Sequence, residues 1–299
     1  MQNIGGQAVI EGVMMKSKSG WSVAVRGPKG DISFKTVKSG NVPKILQLPV
    51  VRGIVALFHA LIIGVKAIEF SGSVAYQEDN DEKPVGAWTI GFSILAAIFL
   101  AMFLFKFLPL YITTLLSESN QGISQSSFLF NFIDGILRVG IFLLYIFSIG
   151  LWKEMRRIYE YHGAEHKVIY AFEAGEPLTV ENARKYKPYH TRCGTSFLLI
   201  VMVLSIIIFM AIPKDWTFVE KLLSRLLLVP FIAGISYEFL KLSAKLHDNP
   251  VFKLAVLPGL LLQRMTVREP DDSQIEVAIA AVKEVLTLEP DLKEACGKC

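Results

Sequence analysis

The sequence predicts a polytopic α-helical membrane protein with four transmembrane helices, re-entrant or interfacial segments, and a cytoplasmic α+β part containing a small N-terminal β-sheet. Of the 299 residues, 52% are hydrophobic and 19% are charged, and the mean hydropathy is +0.44. Soluble domains usually carry about a quarter charged residues. Long apolar runs also alternate with basic loops, which is typical of a chain that crosses a membrane several times.

The N-terminal segment favours a small β-sheet. Apolar and polar residues alternate from Trp21 to Val25, residues 27–30 read Gly-Pro-Lys-Gly, and the alternation resumes at Ile32 and Phe34. Alternation of period two around a glycine–proline turn predicts a hairpin.

Four runs are long and apolar enough to be predicted as membrane spans. They cover residues 88–116, 128–152, 195–212 and 222–240. Two shorter runs, residues 53–65 and 254–262, are predicted as re-entrant or interfacial segments, because about 18 residues are needed to cross the hydrocarbon.

A helix is predicted near the C-terminus. Residues Ser273 to Glu276 match a capping box, and Pro270 precedes them. Apolar residues then recur at helical spacing: Ile275, Ile279, Val282 and Leu286. Together with the sheet, this helix predicts one packed domain outside the membrane.

Lysine and arginine set the predicted orientation. They are concentrated before residue 53 and between residues 153 and 192, whereas residues 117–127 contain none. The positive-inside rule then places both termini and the middle loop in the cytoplasm. A crossing by residues 53–65 would put the two basic regions on opposite sides. The net charge of +4 is therefore interpreted as topology, with the lipid bilayer as partner and no nucleic acid.

These predictions divide the chain into six segments. They are a cytoplasmic β-rich segment (residues 1–51), a re-entrant or interfacial helix with an acidic loop (52–87), transmembrane helices 1 and 2 (88–152), a cytoplasmic His/Cys loop (153–194), transmembrane helices 3 and 4 (195–240), and an interfacial segment with a C-terminal cytoplasmic helix (241–299).

The most informative motif is His-Gly-Ala-Glu-His at residues 162–166. In a helix, His162 and His166 lie one turn apart on one face, where both imidazoles can bind one small cation. His190 and Cys193 follow after an interval long enough for the chain to reverse. All four are ligand types for zinc or a similar transition metal, so they predict a divalent-metal site with zinc as the expected ion.

Three interpretations of this motif remain open. His-x-x-Glu-His is the inverted zincin motif, in which both histidines bind zinc and the glutamate, here Glu165, takes a proton from a water activated by the metal. A further ligand would come from His190, Cys193 or Glu238. Alternatively, all four His/Cys ligands would close a structural site with no open position. In the third interpretation no metal binds, and the histidines line a hydrogen-bonded interface.

Glu11 is a second candidate carboxylate. It is surrounded by Gly5, Gly6 and Gly12, and glycines let the backbone approach another element closely. A carboxylate held there would be a ligand or a proton carrier. The competing interpretation is a glycine-rich turn that enters the sheet.

Several ionisable residues lie inside the predicted spans. Asp134 and Arg138 share a helix face, and Asp134 and Arg225 are expected to form a pair between helices. A carrier or channel that uses these residues and Glu238 is the competing interpretation.

The three cysteines indicate a reducing compartment. Cys193 belongs to the metal motif, whereas Cys296 and Cys299 lie at the C-terminus. An odd count without a framework argues against structural disulfides. The terminal pair is predicted to be a disordered tail or an incidental metal binder.

Several strings resemble those of the YqhQ family, a bacterial membrane family of unknown function whose members are labelled as predicted metal-dependent enzymes. The matching strings are residues 5–15, 52–53, 161–167, 190–197, 258–259 and 268–270. The chain departs from the family at Thr191, where a proline is expected, and at Val267, where a threonine is expected. The resemblance implies a site made of His162, Glu165, His166, His190 and Cys193 together with Glu11. It also implies a location in the bacterial inner membrane.

The expected function is that of a membrane-bound metal-dependent enzyme, a hydrolase at the cytoplasmic face, with Glu165 as base and Glu11 as a second catalytic candidate. The alternative is a non-enzymatic scaffold or assembly factor in which a structural metal supports docking of a membrane or cytoplasmic protein. A transporter or channel is the weaker alternative. A homo-oligomer is also expected, because small residues such as Gly140 and Gly234 allow close contact between helices.

Overall fold

The computed structural model describes residues 4–40, 43–76, 87–190, 193–213, 215–245 and 249–289. The strands of this part are β1 (Gly5–Val9), β2 (Gly12–Lys16), β3 (Gly20–Arg26) and β4 (Ile32–Lys38). The α-helices are α1 (Val51–Ala75), α2 (Ala87–Met102), α3 (Leu108–Ser119), α4 (Gln121–Gln125), α5 (Ser127–Ile149), α6 (Lys153–Glu173), α7 (Val180–Arg184), α8 (Gly194–Phe209), α9 (Phe218–Lys245), α10 (Pro250–Thr266) and α11 (Asp272–Leu286). A 3-10 helix, Lys44–Gln47, precedes α1, and a π-helical turn, Phe103–Phe107, joins α2 to α3. Cys296 and Cys299 lie outside the described residues.

The four strands form an antiparallel meander in chain order. The predicted hairpin is β3–β4, whose turn includes Gly30 at a φ of 87°, a value that favours glycine. Helices α6 and α11 pack on one face of the sheet and α1 packs on the other. Strand β2 is consequently buried on both faces. Its central residues, Val-Met-Met, are therefore all apolar, whereas a half-exposed strand would alternate apolar and polar residues. We call the sheet with α6, α7 and α11 the sheet domain.

The predicted C-terminal helix is present as α11. Its apolar stripe is buried as expected, at Ile275, Ile279, Val282 and Leu286. The capping box begins two residues earlier than predicted, at Asp271 instead of Ser273. The Asp271 side chain accepts a hydrogen bond from the backbone N–H of Gln274, and the Gln274 side chain accepts one from the backbone N–H of Asp271. Asp271 directly precedes the first helical residue, Asp272, which is the position that a cap requires.

Within the described residues, three helical stretches are long and apolar enough to cross a membrane: Val51–Ala75, Gly91–Ser119 and Ser127–Ile149. The last two correspond to the first two predicted spans. The prediction that 53–65 is a short isolated run is wrong, since it belongs to the 25-residue helix α1. His59 and Lys66 interrupt the apolar run, but neither residue type stops a helix.

The prediction of four spans is not confirmed. Helix α8 has 16 residues and is apolar but short, and the 28-residue α9 contains Pro230 and several charges. Residues 254–262 lie within α10, which continues through Pro258.

Three ionisable residues of the predicted spans, Asp134, Arg138 and Arg225, form a buried network. Asp134 accepts from Arg138 on its own helix and from Arg225 Nη1 of α9 at 2.7 Å. Arg225 also donates to Asn131 at 2.8 Å. The Nε of Arg138 donates to the carbonyl of Phe105 at 3.1 Å. Phe105 lies in the π-helical turn, where the helix's own hydrogen-bond pattern is altered. The predicted interhelical pair is therefore present, and the network joins the α2–α3 unit, α5 and α9.

Helix α1 begins in close contact with α9. A Cβ atom added at Gly53 would lie 2.9 Å from Gly234 Cα, so glycine is required on both helices. Arg52 forms a two-point ion pair with Glu238, whose Oε1 also accepts from Val50 N–H at 3.2 Å. Gly234 is predicted from the sequence to allow helix contacts in an oligomer. In the structure it packs against α1 of the same chain. A Cβ atom at Gly140 would meet nothing within 4 Å.

Candidate metal centre

The centre of the site is helix α6, which carries three of the predicted residues. Tyr161, Val168 and Phe172 of this helix pack into the core of the sheet domain. The helical repeat then directs His162, Glu165 and His166 toward the junction with the membrane helices. His166 is 2% exposed and Glu165 is 5% exposed, so the predicted helical arrangement of the motif is present and largely buried.

Two histidines and one cysteine converge at this junction. One ligand atom from each of His162, His166 and Cys193 lies within 4.8 Å of the other two. The Nε2 atom of His162 is 3.1 Å from Cys193 Sγ, and the two imidazole centroids are 4.5 Å apart. Ligand atoms around a tetrahedral zinc lie roughly 3.3 to 3.8 Å from one another, so small side-chain adjustments suffice to place all three on one ion.

The other nitrogen of each imidazole is held by a backbone carbonyl. His162 Nδ1 lies 3.0 Å from the carbonyl oxygen of Thr266, and His166 Nδ1 lies 2.7 Å from that of Pro188. A carbonyl can only accept, so both rings donate from Nδ1, and the neutral form of each ring presents a lone pair at Nε2. Histidines that bind metals are commonly oriented in this way. Burial also lowers the pKa of His166 well below its usual value, which keeps the ring neutral.

Cys193 joins the site to the membrane helices because it is the N-cap of α8. Its Sγ accepts from the backbone N–H of Thr195 at 3.4 Å. Burial raises the pKa of the Cys193 thiol, and hydrogen bonds from Thr195 and Ser196 partly offset that effect. A bound cation would reverse the balance, because metal ligation deprotonates a thiol.

Glu165 lies against the N-terminal strand. It accepts a hydrogen bond from the backbone N–H of Gly6, and a Cβ atom at Gly6 would lie 3.0 Å from Glu165 Cδ. Burial raises the pKa of Glu165 to about 7, with Cys193 adding to the effect and His162 and Gly6 opposing it. Among the described residues, Glu165 Oε2 is buried and has no hydrogen-bond partner.

His190 lies beside this cluster and is not part of it. Its Nε2 is 3.4 Å from Glu173 Oε2, and its ring centroid is 5.7 Å from that of His166. Burial lowers the pKa of His190 to about 4. Gln263 holds the backbone of His190 through two hydrogen bonds of 2.9 and 2.7 Å. The structure therefore brings together three of the four predicted ligands. The fourth, His190, lies outside the cluster, next to His166.

Glu11 is engaged elsewhere. It lies in the tight turn between β1 and β2 at a φ of 50°, a left-handed value that is unusual for glutamate. Its carboxylate accepts from both Nε and Nη2 of Arg157 and from the hydroxyl of Tyr161 at 3.2 Å. Glu11 thus ties the hairpin to α6 one residue before His162, and it is not among the residues that converge on the metal centre.

Sequence reasoning missed the residues that hold the ligands in place. Thr266 and Pro188 contribute only backbone carbonyls, which no residue type signals. Gly163 does leave a signal, since glycine inside a helix is costly. A Cβ atom there would lie 2.0 Å from the carbonyl oxygen of Arg268. Glycine therefore allows the segment after α10 to pass close enough for Thr266 to bind His162.

Replacing Gly163 with alanine is expected to displace that segment. Overpacking costs about 1–3 kcal/mol of stability, and loss of the His162 hydrogen bond is expected to weaken metal affinity by about 10- to 100-fold. Thermal unfolding and zinc titration of the purified full chain measure both effects. Gly194→Ala is the matched control, because Gly194 also adjoins a ligand but a Cβ atom there meets nothing within 4 Å. Equal behaviour of the two variants would contradict this role for Gly163.

The residues present fit a zinc ion. Two imidazole Nε2 atoms and one thiol form a ligand set that zinc accepts, and three protein ligands leave a fourth position open. The buried Oε2 of Glu165, which has no partner among the described residues, is the polar group that such an open position would use.

The family profile described as "Protein of unknown function (DUF1385)" matches residues 48–288. The chain is similar to the "Uncharacterized protein YqhQ" of Bacillus subtilis (strain 168), with 35% identity over 295 residues, covering 95% of this chain and 92% of the relative. No solved structure matches.

Proposed function

This chain belongs to the DUF1385 family, and on that premise we propose that it is a membrane-bound, metal-dependent hydrolase whose site lies where the sheet domain meets the membrane helices. A single observation carries the proposal: His162, His166 and Cys193 gather three ligand atoms within 4.8 Å, beside a buried carboxylate oxygen that has no partner in the described part of the chain. Three ligands with an adjacent acid or base are typical of catalytic sites, whereas structural zinc sites use four.

Each side chain has a definite task in this proposal. His162, His166 and Cys193 would hold the ion, which when bound would polarise the scissile group and lower the pKa of water toward 7. Glu165 accepts the Gly6 N–H and keeps Oε2 free to take a proton and later return it. Burial favours the protonated carboxyl of Glu165, and a bound cation would favour the carboxylate, so the ion would prepare Glu165 to accept a proton.

The competing function is a scaffold with a structural metal. His190 supports it, because its ring lies 5.7 Å from that of His166 and a rotation of the side chain would add a fourth ligand. The carrier alternative has less support, since Asp134, Arg225 and Glu238 are all engaged in ion pairs. A location in the bacterial inner membrane, with both termini in the cytoplasm, is part of the proposal.

Metal content distinguishes the hydrolase from the scaffold. Full-length protein purified in detergent without chelators is expected to contain about one zinc per chain, and His166→Ala is expected to remove it. His190→Ala is expected to retain the zinc, with a modest loss of stability because the truncated ring is buried. X-ray absorption is expected to show one sulfur ligand and an oxygen donor. Loss of zinc in His190→Ala would support the scaffold, and a zinc-free parent would contradict both functions.

A further inference from the structure

Helix α1 has one face covered by the sheet. Ala67 and Ser71 on this face are fully buried. Ile63, Phe70 and Val74 pack beside them against the sheet residues Val9, Met14, Trp21, Val23 and Val25. The covered part extends from about the middle of α1 to its end, so this half of the helix is held by the sheet domain.

The opposite face of α1 is an apolar ridge. It consists of Phe58, Leu61, Ile62, Val65 and Ile68, which are 39–57% exposed. The exposed carboxylate of Glu69 projects on the same side and ends the ridge. Between the ridge and the sheet runs a polar flank of His59, Lys66 and Ser73, all exposed. Their seven-residue spacing aligns them along one side of the helix. A helix that lies flat in a membrane surface directs its polar side toward the lipid headgroups and its apolar side toward the acyl chains.

The contacts at the two ends of α1 are difficult to reconcile with a crossing. The beginning packs on α9 through Gly53 and the Arg52–Glu238 pair, about eight residues before α9 ends at Lys245. The sheet is in contact from Ile63 onward, roughly 15 Å further along the axis. A spanning orientation would carry Lys66 and the adjoining sheet into hydrocarbon, where charged groups and unsatisfied backbone are costly.

We propose that α1 is an in-plane membrane anchor and not a span. It lies in the boundary between headgroups and acyl chains on the same side as the sheet domain, with the apolar ridge in lipid and the polar flank at headgroup level. Its length and composition alone would also permit a crossing, but its contacts select the surface orientation. The occupant of the ridge is the bilayer itself.

This placement has a consequence for the site. The sheet supported by α1 includes Gly6, whose N–H binds Glu165. The anchor therefore holds this strand at the membrane surface, on the level at which Cys193 caps α8. The inference does not depend on the proposed hydrolase, because it rests only on packing and exposure.

Depth measurements along the ridge test the proposal. Single spin labels are introduced by Phe58→Cys, Leu61→Cys, Val65→Cys and Ile68→Cys in the full chain, with Cys296 and Cys299 replaced by serine and the buried Cys193 left as measured background. In liposomes of phosphatidylcholine and phosphatidylglycerol, collision with oxygen and with a nickel chelate reports depth. An in-plane helix predicts that all four depths agree within about 5 Å, one helical turn.

A spanning α1 predicts a steady change of about 15 Å between Phe58 and Ile68, ten residues apart, and that result would overturn the proposal. Full exposure of all four labels to the nickel chelate would also overturn it. Lys66→Cys is expected to be shallower than the ridge positions. The positive control for a span is α5, where Phe132→Cys, Ile136→Cys, Leu144→Cys and Phe147→Cys are expected to become deeper and then shallower again.

Discussion

Replacement of Glu165 with glutamine is expected to reduce turnover by about 10²- to 10⁴-fold, the usual contribution of a positioned general base, while bound zinc stays at the parental level. Glutamine has nearly the same shape, so it can still accept the Gly6 N–H and leave His162 and His166 undisturbed. It cannot take a proton. The two readouts therefore separate catalysis from metal binding.

The measurement begins with the wild-type protein in liposomes and four chromogenic or fluorogenic probes: an aryl ester, a phosphomonoester, a phosphodiester and a labelled peptide. Zinc-dependent hydrolysis of one probe selects the class for the variant. Glu154→Gln is the control, because Glu154 is exposed in the first turn of the same helix. Unchanged turnover in Glu165→Gln would show that this carboxylate is not the base. Hydrolysis of none of the probes would weigh against the hydrolase.

The second large effect is expected in the membrane helices. Replacing Asp134 with alanine leaves Arg138 and Arg225 buried without their shared carboxylate. Breaking a buried ion pair from one side costs about 3–5 kcal/mol, because the remaining charge stays desolvated. At about 2 °C per kcal/mol for a chain of this size, the unfolding temperature in detergent is expected to fall by roughly 6 °C or more.

Glu118→Ala is the control for this variant, since Glu118 is exposed at the end of α3. A second variant, with Asp134→Leu, Arg138→Met and Arg225→Met combined, is expected to recover much of the loss, because apolar side chains of similar size replace a buried network without unpaired charge. If Asp134→Ala unfolds at the temperature of Glu118→Ala, the network does not stabilise the bundle. If the combined variant is as unstable as Asp134→Ala, unpaired charge is not the cause.

Much of the fold was accessible from local patterns. The β3–β4 hairpin and the buried stripe of α11 follow from alternation and helical spacing, which depend only on neighbours in the chain. The extent of α1 was not accessible in this way. Its hydropathy falls near Lys66, which makes the apolar run look short. The second half of the helix is covered by the sheet, whose residues are distant in sequence.

The site was accessible only in part. His162, Glu165 and His166 share one helix, so their spacing was enough to group them. Cys193 is recruited through the cap of α8, and the structure confirms its proximity to His162. His190 has the same chemistry and a similar position in the sequence, but Gln263 and Glu173 hold it apart. Glu11 was the other candidate carboxylate, and in the structure it is paired with Arg157.

The sequence by itself determined which residue types could bind a cation, which segments are apolar, and where the helical motif begins. Only the tertiary structure decided which candidates meet, because the choice between His190 and Cys193, and between a free and a paired Glu11, depends on partners contributed by other elements. The same holds for α1, where hydropathy permits either a crossing or a surface position. The physical reason is that periodicity is a local property, whereas the burial, pairing and orientation of a side chain are set by whatever packs against it.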